Sequence, residues 1–238
     1  MRDAAHESGE GVERMSVEGE ARTVQHRRSP KGEQRRREIL AAAAYMFAQG
    51  GYDSASLADI ARQAGITQAG LLHHFPSKTT LLLTVLDQRE VLEEDAPLAH
   101  GVGFLIRFIT TLRRHESDPS EMAFFAMIST ESATPTHPAH EYFLSRYQGI
   151  ARDFTVELER VFDAARLPAH ISVLDLTRSL VAIADGMRIQ WLFEPNVVLR
   201  SELIVRFLEL LEPYMFDGAR DEFRASILDW RRSEPRRR

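Results

Sequence analysis

The chain has 238 residues, 44% hydrophobic and 27% charged, with a formal net charge of −5 and no cysteine. A small domain followed by a larger one is the expected arrangement for that length. No apolar run approaches the ~20 residues of a membrane span, the N-terminus has no apolar secretory core, and the lack of thiols excludes a disulfide framework, so a cytoplasmic setting is expected. Charge is unevenly spread: residues 27–80 hold eight Lys and Arg against four Asp and Glu, while residues 81–238 hold 19 against 25. A basic head on an acidic body suits docking onto a polyanion in one orientation.

Residues 1–30 carry few large apolar side chains and no periodicity, which reads as a disordered tail, and Met15 is a second candidate start. A helix over about 33–49 places Ile39, Leu40, Ala43 and Phe47 on one stripe and ends at Gly50 and Gly51. Ser56 opens a second helix in a capping box with Asp59 in place of the usual Glu, and Gly65 breaks it. Thr67 caps a third helix with Leu71 and Phe75 four apart on its buried side. Two short helices about a glycine bend, with Ala61 at the crossing and Ile60, Ile66 and Leu71 closing a small core, make a helix-turn-helix.

Pro76-Ser77-Lys78 opens the fourth helix, with Ser77 as its cap. Beyond it everything reads as helix, over about 77–94, 98–115, 119–132, 138–166, 172–193, 200–215 and 219–231, punctuated by prolines and by Asp217-Gly218. The expected fold is all-α. A three-helix helix-turn-helix domain (31–80) precedes a larger helical body (81–216) and a C-terminal helical extension with a basic tail (217–238).

The stretch SLADIARQAGITQAGLLHHFPSKTTLL resembles the DNA-binding region of TetR-family transcriptional regulators, and the likeness covers about residues 33–85. Farther on, ADGMRIQWLFEP (184–195) is similar to the start of the last helix pair in many members. The resemblance implies that the helix over 67–75 enters the major groove of double-stranded DNA. Gln68 would read adenine, with Thr67 beside it, Ala69 available to a thymine methyl and His73 extending the same face. His74 is expected to be partly buried. Ser56 and Leu72 join the candidate DNA-binding set. Ser77 and Lys78 would meet phosphate at a helix N-terminus, and Arg35, Arg36 and Arg37, with Arg27, Arg28 and Lys31, form a basic arm for phosphates or a minor groove. Two positions depart from the commonest motif. Leu72 replaces a tyrosine and Gly70 a frequent threonine, removing one phosphate contact and one base contact.

The same resemblance implies a body that encloses a small apolar or amphipathic effector and forms a homodimer. Candidate pocket residues are Phe104, Phe108, Phe124, Phe125, Met127, Tyr142, Phe143 and Tyr147. The fourth helix, running from Lys78 into the body, is the expected lever between pocket and DNA. Candidate dimer residues are Leu180, Ala184, Met187, Trp191, Leu203, Phe207 and Leu211, in excess of what one helix face buries, with Gly186 allowing close approach. No enzyme is expected, since there is no nucleophile elbow or P-loop and Gly101-Val-Gly103 follows no strand. No cofactor or membrane partner is expected, and no metal either, because no histidine follows a glutamate by three and His137-Pro-Ala-His140 reads as a helix start. The reading is a ligand-released repressor. The alternatives are an activator of the same fold, and a helical-bundle enzyme or ligand-binding protein with a vestigial head.

Overall fold

The computed structural model describes residues 30–94, 99–195 and 199–233. Its helices are α1 (Pro30–Ser54), α2 (Leu57–Gln63), α3 (Gln68–His74), α4 (Lys78–Glu94), α5 (Val102–His115), α6 (Pro119–Glu131), α7 (His140–Leu158), α8 (Val173–Phe193), α9 (Arg200–Leu211) and α10 (Asp217–Arg232), with a short 3-10 turn at Glu212–Tyr214 before α10. The tail read over residues 1–30 lies outside the described residues apart from Pro30, as do Arg27, Arg28 and residues 234–238.

Local signals account for the boundaries. Asp118 caps α6 by accepting the Glu121 N–H at 3.0 Å, followed by Pro119 at the first position, where a missing N–H costs nothing. Ser172 and Asp175 form a reciprocal capping box at the start of α8. α1 breaks at Gly51, whose φ of 78° and ψ of −176° lie outside the helical region. The helix expected over 138–166 stops at Leu158. Val161 and Phe162, adjacent in sequence and both fully buried, would diverge by about 100° on a continuing helix. The chain instead extends, and Phe162 forms an isolated antiparallel bridge with Met215, flanked by the Asp163 N–H to Tyr214 O and Phe216 N–H to Val161 O bonds, each 2.9 Å.

Two cores result. The first joins α1 to α4 around Ile39, Phe47, Ile60, Leu71, Phe75 and Leu82, and takes in Phe124, Phe125 and Ile128 of α6 and Phe143 of α7. It therefore runs past the boundary expected at residue 80. The second joins α5 and the end of α7 to α8, α9 and α10. α6 lies between them because it is apolar around much of its circumference, a pattern that suits a helix covered on several sides. α10 docks on α5 and α9. Phe223, Ile227 and Trp230 are buried, Arg113 of α5 donates to Trp230 O at 3.0 Å, and Arg231 bridges Glu202 and Glu209 of α9 at 2.7 and 2.8 Å. No described helix is long and apolar enough to cross a membrane.

Candidate nucleic-acid interface and interior cavity

The α2–α3 unit is fixed by its caps. Ser56 Oγ accepts the Asp59 N–H at 3.0 Å and donates to Asp59 Oδ2 at 2.6 Å. That bond, with Arg62 beside it, holds the Asp59 carboxyl below its ordinary pKa. α2 closes in a Schellman motif, with Ile66 N–H to Ala61 O at 2.9 Å and Gly65 N–H to Arg62 O at 3.1 Å. Gly65 sits at φ 67°, a region that side-chain-bearing residues rarely enter. Thr67 then caps α3 by accepting the Gly70 N–H at 3.1 Å.

α3 buries Leu71 completely, and its terminal neighbour Phe75 is 1% exposed. Thr67, Gln68, Ala69, Leu72 and His73 are all exposed, and His74 is half-buried. Leu72, 38% exposed, stands out as an apolar side chain on this face.

The basic residues are less free than an arm would be. Residues 31–37 are wound into α1 behind Pro30. Arg35 pairs with Glu38 at 2.8 Å and reaches Ala64 O at 3.4 Å, and the Arg36 guanidinium lies 4.3 Å from the Phe75 ring centroid. Arg37 is exposed and donates to Gln34 Oε1 at 2.6 Å.

Lys78 also differs from a free charge awaiting phosphate. Its Nζ donates to Tyr52 O at 2.8 Å, Ala55 O at 3.1 Å and Asp53 O at 3.4 Å, and lies 4.2 Å from the Tyr52 ring centroid. The unpaired carbonyls at the end of α1 attract a cation. Ser77 keeps its cap, accepting the Thr80 N–H at 3.0 Å.

Tyr52 is the hub of this junction. Its hydroxyl pairs with Thr79 Oγ1 at 3.0 Å, and its N–H donates to Glu131 Oε2 of α6 at 2.8 Å. A Cβ on Gly51 would lie 1.8 Å from Glu131 Oε1, so the carboxylate occupies space that only glycine leaves. His137, its side chain 8% exposed, has its Nε2 3.7 Å from Glu131 Oε2. Its Nδ1 accepts the Ala139 N–H at 3.2 Å and pairs with Ser132 Oγ at 2.9 Å. Burial pushes the imidazole pKa below its usual 6.5, against the smaller opposing pull of Glu131 and Asp53.

A cavity of about 190 Å3 lies among α5, α6, α7, α8 and the start of α9. Of the eight residues expected to line a pocket, Phe108, Phe125, Phe143 and Tyr147 do so. The other four are placed elsewhere. Phe124 is fully buried in the first core against Phe47, Tyr142 packs against that core, Phe104 is buried edge-on to Phe154, and Met127 is exposed. The sequence reading missed the charged lining of His115, Glu121, Arg146, Asp185, Arg188 and Arg200. For Asp185 and Arg188, charges inside the largely apolar α8 were the available signal, since such groups rarely enter an interior unpaired. Tyr147 donates to Asp185 Oδ2 at 2.8 Å, and burial, then Asp185, pushes its pKa up to about 12.

The expected dimer residues need correction. Leu180, Ala184, Met187 and Trp191 are 0%, 6%, 7% and 3% exposed within the single chain, so they face its own interior. Both stripes of α8 are apolar, and composition alone could not tell the inward one from the outward one. Phe207 and Leu211 are half-buried against the second core. The outward apolar positions are Ile189 and Phe193 on α8, with Leu203 and Leu210 on α9, at 48%, 83%, 39% and 74% exposure. Gly186 lies on the same side as Ile189 and Phe193, with open space beyond it.

Comparison with known proteins places this geometry. Residues 39–85 match the model of bacterial regulatory proteins of the tetR family. Over 105 residues the chain is 38% identical to the HTH-type transcriptional activator FasR of Mycolicibacterium smegmatis, a match that covers 44% of this chain and 45% of that protein. The chain thus spans less than half the length of this relative. Among solved structures, a TetR-family regulator from Agrobacterium tumefaciens superposes with a TM-score of 0.59 at 19% identity, over 77% of this chain and 99% of that one. NalD of Pseudomonas aeruginosa, the secondary repressor of a multidrug efflux pump, does so with 0.57 at 21% identity, over 78% and 98%. These two likenesses establish the fold.

Proposed function

We propose that this chain, which belongs to the TetR family by its region at residues 39–85, is a non-enzymatic transcriptional regulator that binds an inverted-repeat operator as a homodimer and releases it when a small effector enters the α5–α8 cavity. The observation that carries this reading is the outward face of α3. Thr67, Gln68, Ala69, Leu72 and His73 stand exposed on a helix held from behind by Leu71 and at its start by a side-chain cap. A rigid helix with a clean face and a capped N-terminus fits the major groove, where each base pair presents a distinct pattern.

In this reading residues 31–80 are the DNA-binding head, 81–216 the effector-binding and dimerising body, and 217–238 an extension of that body. Gln68 reads a base, Ala69 and Leu72 meet thymine methyls or sugar edges, His73 extends the contact, and Ser56, Ser77 and Arg37 lie toward phosphates. Arg35, Arg36 and Lys78 act one step back, by fixing the helices that touch DNA. Ile189, Phe193, Leu203 and Leu210 supply the dimer surface, extended by Phe207 at its edge. A two-fold dimer sets two heads about one helical turn of DNA apart, roughly 34–36 Å.

Repression by occupancy is the reading we adopt for the sign of regulation. Activation is the second, favoured by the 38% identity to the activator FasR over 105 residues. Selection of bound sites from random duplex DNA with the full chain tests the proposal. Recovery of an inverted repeat supports it, and a pool without enrichment contradicts it. A reporter placed behind the recovered site then separates repression from activation.

A further inference from the structure

We propose that the cavity takes an anionic amphiphile, with a carboxylate held by Arg200 and an apolar body lying among Phe108, Phe125, Phe143 and Phe154; this deepens the effector reading above and rests on it. Arg200 opens α9 and lines the cavity, yet it is only 1% exposed. Its Nε donates to Ala184 O at 3.2 Å, and its Nη1 faces Met122 Sδ at 3.1 Å, a weak acceptor. Its Nη2 is buried without a hydrogen-bond partner. A guanidinium carries five donors in a planar fork suited to a carboxylate, and here much of that fork is unused.

The other charges of the cavity sharpen the preference. Asp185 is already engaged, by the Tyr147 hydroxyl at 2.8 Å and by Arg188 at 3.1 Å. Glu121 faces His115 at 3.8 Å. Glu116, the buried carboxylate near Arg200, accepts the Ser201 N–H at 2.7 Å and reaches Arg200 through space. Arg188 repels Arg200 across the same cavity, and Arg146 adds a third guanidinium to the lining. Burial, then Arg188, draws the Arg200 pKa down to about 10, so the group remains charged at neutral pH. Asp185 and Glu116 thus have hydrogen-bond or ion-pair partners in the protein while the Nη2 of the most buried arginine has none, a balance that favours an anionic ligand.

Size limits the apolar part. A cavity of about 150 Å3 accommodates benzene, so 190 Å3 suits one ring or a short alkyl chain beside the carboxylate. The four phenylalanines supply the matching walls, with Phe154 set edge-on to Phe108 at 5.2 Å between centroids.

The test is calorimetric titration of the full chain at pH 7.5 with phenylacetate, hexanoate and octanoate, each against its primary amide. Each carboxylate is expected to bind at least tenfold tighter than its amide. Arg200→Met should abolish that preference and Arg200→Lys retain part of it. Equal affinity for acid and amide, no carboxylate binding at millimolar concentration, or an undiminished preference in Arg200→Met would overturn the proposal. If Arg200→Met does not fold, the acid and amide comparison on the wild-type chain decides. Repeating the titrations with DNA present keeps the two readings apart. A carboxylate that binds without loosening DNA upholds this site and refutes the effector role, whereas an amide that binds as tightly and releases DNA does the reverse.

Discussion

Glu131 of α6 accepts the backbone N–H of Tyr52 at 2.8 Å, and through that bond the helix that walls the cavity holds the end of the helix that supports the DNA-binding head. α6 contributes Met122 and Phe125 to the cavity and Phe124, Phe125 and Ile128 to the core of the head. Interiors are close-packed, so under the proposed function a ligand that moved Phe125 would act on the head directly. The lever expected was α4. In the proposed function α6 would be a second one, since its residues contact both the cavity and the first core.

Glu131→Ala should leave the Tyr52 N–H without its acceptor and lower the unfolding free energy by about 1–3 kcal/mol. It should also shrink the effector-induced change in DNA affinity, because coupling is the difference between two states that this bond helps define. Gly51→Ala should destabilise as well, since its φ of 78° is strained for alanine. Denaturant titration and DNA binding with and without effector check both, and a Glu131→Ala protein with full stability and full coupling would exclude α6 as a lever.

Lys78→Met should lower stability while leaving the salt dependence of DNA binding nearly unchanged, because its ammonium is committed to the Tyr52, Asp53 and Ala55 carbonyls. A direct phosphate contact would instead reduce the slope of log affinity against log salt by about one. Thermal melts with titrations over a range of salt distinguish the two.

Stability should fall as the pH drops below 6.5. Burial keeps the folded-state pKa of His137 under its ordinary 6.5, so the unfolded chain takes up a proton first. Its contribution is therefore complete above 6.5 and declines from there toward the lower folded pKa. Protonation would also disrupt the pairing of Nδ1 with the Ala139 N–H. His137→Asn should flatten this part of the stability profile, and an unchanged acid slope would contradict the assignment.

Phe193→Asp or Leu210→Asp should yield folded monomers with weakened operator binding, since these side chains are 83% and 74% exposed in the single chain. Leu180→Asp or Trp191→Asp should instead impair folding, being buried at 0% and 3%. Sedimentation velocity and circular dichroism read the two outcomes. A Phe193→Asp, Leu210→Asp double variant that stays dimeric would move the interface elsewhere.

The head was readable because short-range rules govern it. Ser56, Gly65 and Thr67 act on residues two to four away in sequence, and Leu71 and Phe75 declare the inner face by their spacing. The body was readable as helices but not as an arrangement. Phe124 and Phe125 are adjacent and chemically alike, yet Phe124 lies wholly in the first core while Phe125 also walls the cavity, and only long-range packing separates them. The two stripes of α8 failed for the same reason. Arg200 was missed because an arginine at a helix start is ordinarily a solvated surface residue, and nothing within a few positions of it announces burial.

The most direct test of DNA recognition is fluorescence anisotropy at about 150 mM salt on the duplex recovered by selection, against a scrambled duplex of equal length, with wild-type protein and Gln68→Ala. The wild-type chain should prefer its site by about 10³-fold or more. Gln68→Ala should lose roughly 1–3 kcal/mol of discrimination at one base pair per half-site, with little change on the scrambled duplex. Equal wild-type affinity for the two duplexes would contradict sequence-specific binding by the α3 face.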